Sequence, residues 1–303
     1  MTAGTTRRLR ERVANGPLLV VAGAANALAA RVIEDVGFEA VYVTGAGVAN
    51  TFLGAPDIGL VTLTELASHV SAIRDAVDLP LIVDADAGFG NAVNVGRTVA
   101  VLERAGADAI QLEDQVEPKR CGHFDDKQVI PVRDMVAKVH AAVDGRRDDA
   151  TLVIARTDAR AVDGFEAAVD RCLRYAEAGA DLTFLEAPQS VEEVLAVPGA
   201  IPVPQVINLV EGGKTPLVSL DRLAEFRIAL FANLALQASI LGMQRALTSL
   251  RQTGTLPAGG DYIVPWAERQ RIVDKPRYDE LERRYTTLSP LDPTDRKDGV
   301  PHA

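Results

Sequence analysis

Eight short runs of apolar and β-branched residues recur along the chain, at residues 18–21, 40–44, 79–84, 109–113, 151–157, 182–186, 203–209 and 227–231. Stretches of helical length and period separate many of them, at residues 63–77, 94–105, 133–143, 164–178 and 219–225. Strands joined by crossover helices make a parallel sheet covered by those helices, so the alternation reads as a series of βα units. Two of the units nearly repeat each other: Glu103-Arg-Ala-Gly-Ala-Asp-Ala-Ile-Gln-Leu-Glu113 and Ala176-Glu-Ala-Gly-Ala-Asp-Leu-Thr-Phe-Leu-Glu186. Each is a helix end, a glycine stop and a buried strand ending in an acid. Eight such strands predict an α/β fold of the (β/α)8 TIM-barrel type, with its chemistry at the C-terminal ends of the strands. A doubly wound open sheet is the alternative. The barrel is expected over residues 1–255. Residues 256–303, richer in proline, glycine, charge and aromatics and holding Trp266, are expected to form an extension with a helix at 277–286.

Composition removes several function classes. With 32 Lys and Arg against 42 Asp and Glu, the net charge of −10 argues against binding to a nucleic-acid backbone. The 48% hydrophobic content suffices for a full core. Cys121 and Cys172 are too few to staple a secreted fold, which points to the reducing cytoplasm. Arg7, Arg8, Arg10 and Arg12 followed by the apolar residues 18–30 mimic a secretion signal. Glu11, the Asn15-Gly-Pro17 turn and Asn26 argue instead for a buried first strand and loop. Residues 228–243 are interrupted by Asn233, Gln237 and Ser239 and fall short of the roughly 20 residues a bilayer needs, so they read as core.

Polar groups collect where the predicted strands end. Asp84 and Asp86 close the third run, and alternation along a strand would point them the same way. Glu113 and Asp114 close the fourth, and Asp57 lies in a turn after the second. Converging carboxylates repel unless a cation sits among them, and hard oxygens suit Mg²⁺ or Mn²⁺. The same acids could instead cap helices or pair with Arg97 and Arg156. The string Pro118-Lys-Arg-Cys-Gly-His123 places the Cys121 thiol among cations, a glycine and an imidazole. Neighbouring positive charge lowers a thiol pKa, which makes Cys121 a candidate proton donor or nucleophile as against an incidental surface thiol. Arg156 could clamp a carboxylate or pair with a neighbouring acid. Glu186 and Asn208 end the sixth and seventh runs, with Glu211, Lys214 and Thr215 following. Gly45-Ala-Gly-Val-Ala-Asn50 lacks the rest of a dinucleotide fingerprint and reads as backbone donors for an anion.

The Lys119-Arg-Cys-Gly-His123 loop resembles the signature of the isocitrate lyase and phosphoenolpyruvate mutase superfamily. Asp84-Ala-Asp86, Glu113-Asp-Gln115, Ala155-Arg-Thr-Asp158, Glu186-Ala187, and Asn208 with Glu211-Gly-Gly-Lys-Thr-Pro216 follow in the family's order, across about residues 15–255. The resemblance implies a barrel whose eighth helix is exchanged between subunits of a homotetramer, and a Mg²⁺-bound carboxylic acid substrate. Carried over by position, it places Asp84, Asp86, Glu113 and Asp57 around the metal, mostly through water. Backbone N–H groups of Thr44, Gly45 and Ala46 would meet the substrate, Arg156 would clamp its carboxylate, and Cys121 would protonate the leaving carbon. Lys119, Arg120, Gly122, His123, Glu186, Asn208 and Thr215 would complete the site.

Within that family the cysteine loop points to carbon–carbon cleavage, with phosphorus–carbon chemistry second. Methylisocitrate lyases usually carry an arginine soon after strand eight; this chain offers Asn233 and Gln237 there, and Arg245 is the first arginine. The expected substrate is therefore a 2-alkylmalate or 2,3-dimethylmalate, with oxaloacetate also in view. Lysis of 2-methylisocitrate to pyruvate and succinate is the alternative, and an inactive scaffold barrel the non-enzyme alternative.

Overall fold

A computed structural model of the chain describes residues 2–122, 127–255 and 263–288. The chain order begins α1 (Thr2–Asn15), β1 (Leu19–Ala24), α2 (Ala27–Asp35), β2 (Val41–Val43), α3 (Gly45–Val48) and α4 (Leu63–Ala76). It continues through β3 (Leu81–Asp84), α5 (Ala92–Ala105), β4 (Ala109–Glu113), α6 (Val132–Gly145), β5 (Leu152–Thr157) and α7 (Phe165–Glu177). Then come β6 (Leu182–Leu185), α8 (Val191–Ala200), β7 (Gln205–Asn208), β8 (Ile228–Phe231), α9 (Leu234–Thr253), α10 (Trp266–Ile272) and α11 (Lys275–Leu288). The eight strands are parallel and close into a barrel in sequence order, β1 meeting β8 with Leu19 beside Ile228. The open-sheet alternative is thereby excluded.

Local chemistry sets the helix boundaries. Thr62 and Glu65 form a reciprocal capping box on α4, Asn91 and Asn94 one on α5, and Gly106 ends α5 at φ 108°. Apolar side chains then sort by strand period. Inward-facing Leu19, Val21, Ile82, Ile154, Leu182 and Leu230 fill the barrel interior together with Leu9 and Val13 of α1. Outward-facing residues pack against the surrounding helices, such as Val41, Leu81 and Ile110 beneath α4 and α5 and Ile207 and Ala229 on the α7 and α8 side.

Several local expectations change. The N-terminal arginines belong to α1, which crosses the N-terminal end of the barrel: Arg10 reaches the carbonyls of Asp149 and Ala150, and Arg12 pairs with Glu39. The loop expected after the first strand is largely α2, and α8 was not anticipated. The segment 219–225 forms only a short 3₁₀ turn, Leu220–Leu223. The expected core segment 228–243 is core only through Ala232; Leu234, Ile240, Leu241 and Met243 on α9 are exposed. Asn233, Gln237 and Ser239 interrupt the run, so its apolar side chains do not make one continuous buried face.

The chain divides into two compact units, residues 1–244 and 245–303. The second holds the end of α9, then α10 and α11, which carry the local ion pairs Arg271–Glu268 and Lys275–Asp279. Among the described residues no helix is long and apolar enough to cross a membrane.

Asp108 is the fixing point of α1. Fully buried just before β4, it accepts from the hydroxyls of Thr5 and Thr6 at 2.6 and 2.7 Å and from Leu81 N–H at 2.8 Å, beside Arg74 at 3.3 Å. Asp108→Ala leaves these donors unpaired, and urea unfolding is expected to show a loss of about 3 kcal/mol. A loss below about 1 kcal/mol would contradict this role for the cluster.

Candidate active site

The inner face of each strand changes character along its length. Leu152 and Ile154 precede Arg156 on β5, Leu182 and Phe184 precede Glu186 after β6, and Ile82 precedes Asp84 on β3. Period two thus carries apolar side chains up the barrel and delivers polar ones at its C-terminal mouth. There a small cavity of about 30 Å³ is lined by Asp57, Asp84, Glu113, Lys119, Cys121 and Arg156. Tyr42, Thr44, Ala46, Arg120, Gly122, Glu186, Asn208 and Asn233 also line it.

Lys119 sits among the acids. Its Nζ lies 2.5 Å from Asp57 Oδ1 and 2.7 Å from Asp86 Oδ1 with its side chain only 4% exposed. Burial alone would lower its pKa, but Asp86, Glu113, Asp84 and Asp57 together hold it firmly protonated. Burial pushes Asp86 up to about 7 against the pull of Lys119, and pushes Glu113 well above the usual carboxylate range against Arg156. Asp84 and Asp86 do converge, but not by strand alternation: β3 stops at Asp84, and Asp86 lies at φ 49°. That left-handed turn brings both carboxylates against Gly45, where a Cβ would meet them at 3.1 and 3.3 Å.

Arg156 is the second cation. Its Nε and Nη2 donate to the two oxygens of Asp158, both at 3.0 Å, while Glu113 and Glu186 lie 3.6 and 3.7 Å away. Its guanidinium is also 5.3 Å from the Phe184 ring. Lys127 adds a third cation, 2.7 Å from Asp158 Oδ1 and also bonded to the Gly122 carbonyl. Burial raises an acid's pKa, but Arg156 and Lys127 hold Asp158 well below its usual range. Behind this row Asp114 is fully buried, accepting from Thr157 Oγ1, Asp158 N–H and Tyr175 OH at 2.7, 2.9 and 2.7 Å and pairing with Arg171 at 3.1 Å. It anchors the end of β5 and does not line the cavity.

The structure therefore brings together most of the residues singled out in the sequence. Thr44 caps α3 by accepting from Gly47 N–H, and its own N–H donates to the Ala24 carbonyl at 3.3 Å. Gly45 and Ala46 begin that helix, where N–H groups have no intrahelical acceptor. Thr215 is buried but is not among the lining side chains. His123 lies outside the described residues. Three residues at the site, Tyr42, Lys127 and Asp158, stand outside the expected set. Tyr42 was hidden within an apolar run, while Asp158 was already visible beside Arg156 in the Ala155-Arg-Thr-Asp158 string.

Among the described residues no three His, Cys, Asp or Glu side chains form a direct cage for a metal ion. The donors at the mouth are hard oxygens, and Glu113 Oε1 and Asn208 Oδ1 are buried without a hydrogen-bond partner. That set fits a cation that keeps several of its own waters, as Mg²⁺ does.

Comparison with known proteins agrees with this geometry. Residues 9–251 match the phosphoenolpyruvate phosphomutase family. The chain is 40% identical to 2,3-dimethylmalate lyase of Eubacterium barkeri over 93% of its length and 99% of that protein. It is 43% identical to 2-methylisocitrate lyase of Aeropyrum pernix over 93% and 90%. Among solved structures, oxaloacetate acetylhydrolase in complex with 3,3-difluorooxalacetate superposes with a TM-score of 0.86 at 31% identity, covering 92% of this chain and 96% of that one. Phosphonopyruvate hydrolase in complex with oxalate and Mg²⁺ gives 0.84 at 29%, covering 93% and 99%.

The two thiols differ sharply in setting. Cys172 is fully buried, its pKa pushed up to about 12 by that burial, whereas Cys121 is part-exposed at the cavity wall. Native protein is expected to take up about one equivalent of iodoacetamide, at Cys121, and about two after unfolding. Peptide mass mapping that found Cys172 alkylated first would contradict the assignment.

Proposed function

The chain belongs to the phosphoenolpyruvate mutase and isocitrate lyase superfamily and is a carbon–carbon lyase, and from that premise we propose that its substrate is a substituted malate. The reading is cleavage of C2–C3 in a 2-alkylmalate or 2,3-dimethylmalate, giving a 2-oxo acid and a smaller carboxylic acid. One observation carries it: a single cavity is lined by the Cys121 thiol, the Arg156 guanidinium and the carboxylates of Asp57, Asp84 and Glu113. Where an additional substrate carboxylate would need a cation, the wall after β8 offers Ala232 and the neutral Asn233, whose Oδ1 is buried without a partner. A carboxylate left without a cation is costly to bury.

Each step finds a group on the wall. Arg156 binds the substrate's C1 carboxylate, with Gly45 and Ala46 N–H groups supporting the oxygens at C1 and C2. Asp57, Asp84, Asp86 and Glu113 would hold Mg²⁺, or Mn²⁺ in its place, which when bound would supply Lewis-acid polarisation of the 2-hydroxyl. The hydroxyl proton passes to the carboxylate cluster as C2=O forms and the C2–C3 electron pair moves onto the departing half. Lys119 and Arg120, the cations that precede Cys121 in the chain, favour this charge, and Cys121 delivers its thiol proton to C3. Glu186 and Asn208 hold Arg156 and the substrate in register. A second reading, 2-methylisocitrate cleavage, is supported by the similarity to a lyase of that name.

The assembly belongs to the same proposal. Exposed Leu234, Ile240, Leu241 and Met243 on α9 are the face we assign to a partner subunit in a homotetramer. Light scattering that found a stable monomer at micromolar concentration would remove this part.

Incubation with Mg²⁺ and a panel of 2-alkylmalates, 2,3-dimethylmalate, 2-methylisocitrate, oxaloacetate and phosphonopyruvate, followed by mass spectrometry, tests the substrate. Cleavage of a substituted malate is expected, lost on chelation and lowered about 10²–10⁴-fold in Cys121→Ala. Turnover of 2-methylisocitrate alone would overturn the reading of Asn233, and turnover of phosphonopyruvate alone would move the chain to phosphorus–carbon chemistry.

A further inference from the structure

Lys127 does not line the cavity that holds Cys121, yet its side chain is only 1% exposed. An ammonium taken out of water costs several kcal/mol unless it is fully partnered, so its contacts matter. Its Nζ donates to the Gly122 carbonyl and to Asp158 Oδ1, the latter at 2.7 Å. The same Asp158 carboxylate receives Nε and Nη2 of Arg156 at 3.0 Å each. The backbone beside Cys121 and the guanidinium that faces the substrate are therefore fastened to one buried carboxylate. Gly122 completes the join. A Cβ there would collide with Arg156 Nη2 and come within 2.9 Å of Glu186 Cγ, so the loop backbone is seated directly on both side chains.

We infer that Lys127 and Asp158 are positioning residues that lock the Cys121–Gly122 backbone to Arg156, fixing the thiol against the group that holds the substrate carboxylate. Neither touches the reacting atoms; Lys127 acts through Gly122, and Asp158 through Arg156. The end of β5 does not need Lys127 for its own stability, because Asp114 already holds Asp158 N–H at 2.9 Å and Thr157 Oγ1 at 2.7 Å. What Lys127 adds is the link across to the cysteine loop. The catalytic consequence rests on the lyase reading above, whereas the mechanical one does not.

Lys127→Met keeps the length of the side chain and removes the charge and donors. With the substrate the wild type cleaves, kcat is expected to fall about 10²-fold with KM little changed, because the thiol is misplaced while the carboxylate clamp remains. Without any substrate, the second-order rate of Cys121 alkylation by iodoacetamide in folded protein is expected to rise several-fold, with Cys172 as the unreactive internal control. Circular dichroism fixes the folded fraction; where Lys127→Met does not fold, Lys127→Gln replaces it in both assays. An unchanged alkylation rate, an unchanged kcat, or a loss that merely tracks the unfolded fraction overturns the proposal. If the wild type cleaves nothing on the panel, the lyase reading has failed, and the alkylation rate alone still decides whether the lock exists.

Discussion

Six carboxylates and three buried cations crowd the mouth of this barrel, and the imbalance between them governs what the site can hold. Asp57, Asp84, Asp86, Glu113, Asp158 and Glu186 face Lys119, Lys127 and Arg156 within a few ångströms, away from bulk water. Two like charges 4 Å apart repel by about 4 kcal/mol at an effective dielectric constant of 20. The surplus of acid is relieved partly by Lys119, which spans Asp57 and Asp86, and partly by the tendency of Asp86 and Glu113 to keep a proton. A dianionic substrate entering this surplus needs more positive charge than the chain provides. A divalent cation would admit it, an electrostatic argument that supports the proposed metal together with the proposed substrate class.

The fold makes such crowding tolerable because the barrel beneath it is rigid and complete. Each strand is paired on both sides, the interior is packed with aliphatic side chains, and α1 covers the N-terminal end. Strain is placed at the other end. Asp86 and Phe89 after β3 and Ala187 after β6 all have positive φ without being glycine, at 49°, 59° and 56°. Such conformations cost of order 1–3 kcal/mol each and persist only where surrounding structure enforces them. Around β3 that enforcement is visible: Lys138 donates to the Ala87 carbonyl at 2.7 Å and Glu113 N–H to the Asp86 carbonyl at 2.9 Å. The carboxylates are thus aimed by backbone turns whose supports lie on neighbouring elements.

This division explains what the sequence revealed and what it hid. Period-two runs and the residues that end them are local features, so all eight strands and the ring from Asp84 to Asn208 could be read directly. α1 escaped because its arginines were read as bare charge; their partners, Glu39, the Asp149 carbonyl and Asp181, lie far along the chain. Lys127 escaped for the same reason: its contact with Asp158, just past the end of β5, exists only in the folded chain. Tyr42 looked like one more core residue within its run, and only barrel closure shows that it borders the cavity. The expected core segment 228–243 holds through Ala232 and fails along α9, where Leu234, Ile240, Leu241 and Met243 are exposed, since apolar content alone does not say which side chains the chain itself covers.

Substrate choice is the feature least determined by the charged groups. On the proposed reading the clamp, the carboxylates and the thiol would serve any 2-hydroxy acid whose C2–C3 bond is broken, and relatives 40% and 43% identical carry the names of two different lyases. What can discriminate is the neutral part of the wall: Tyr42, Ala46, Phe184, Ala232 and Asn233. An alkyl branch gains about 0.8 kcal/mol for each methylene buried against such residues. A carboxylate in the same place would meet an amide in place of a guanidinium and lose more than that in desolvation. The proposed preference for a branched dicarboxylate over a tricarboxylate therefore rests on uncharged side chains, above all Ala232 and Asn233 after β8, while the charged mouth around them would supply the bond-breaking chemistry common to both.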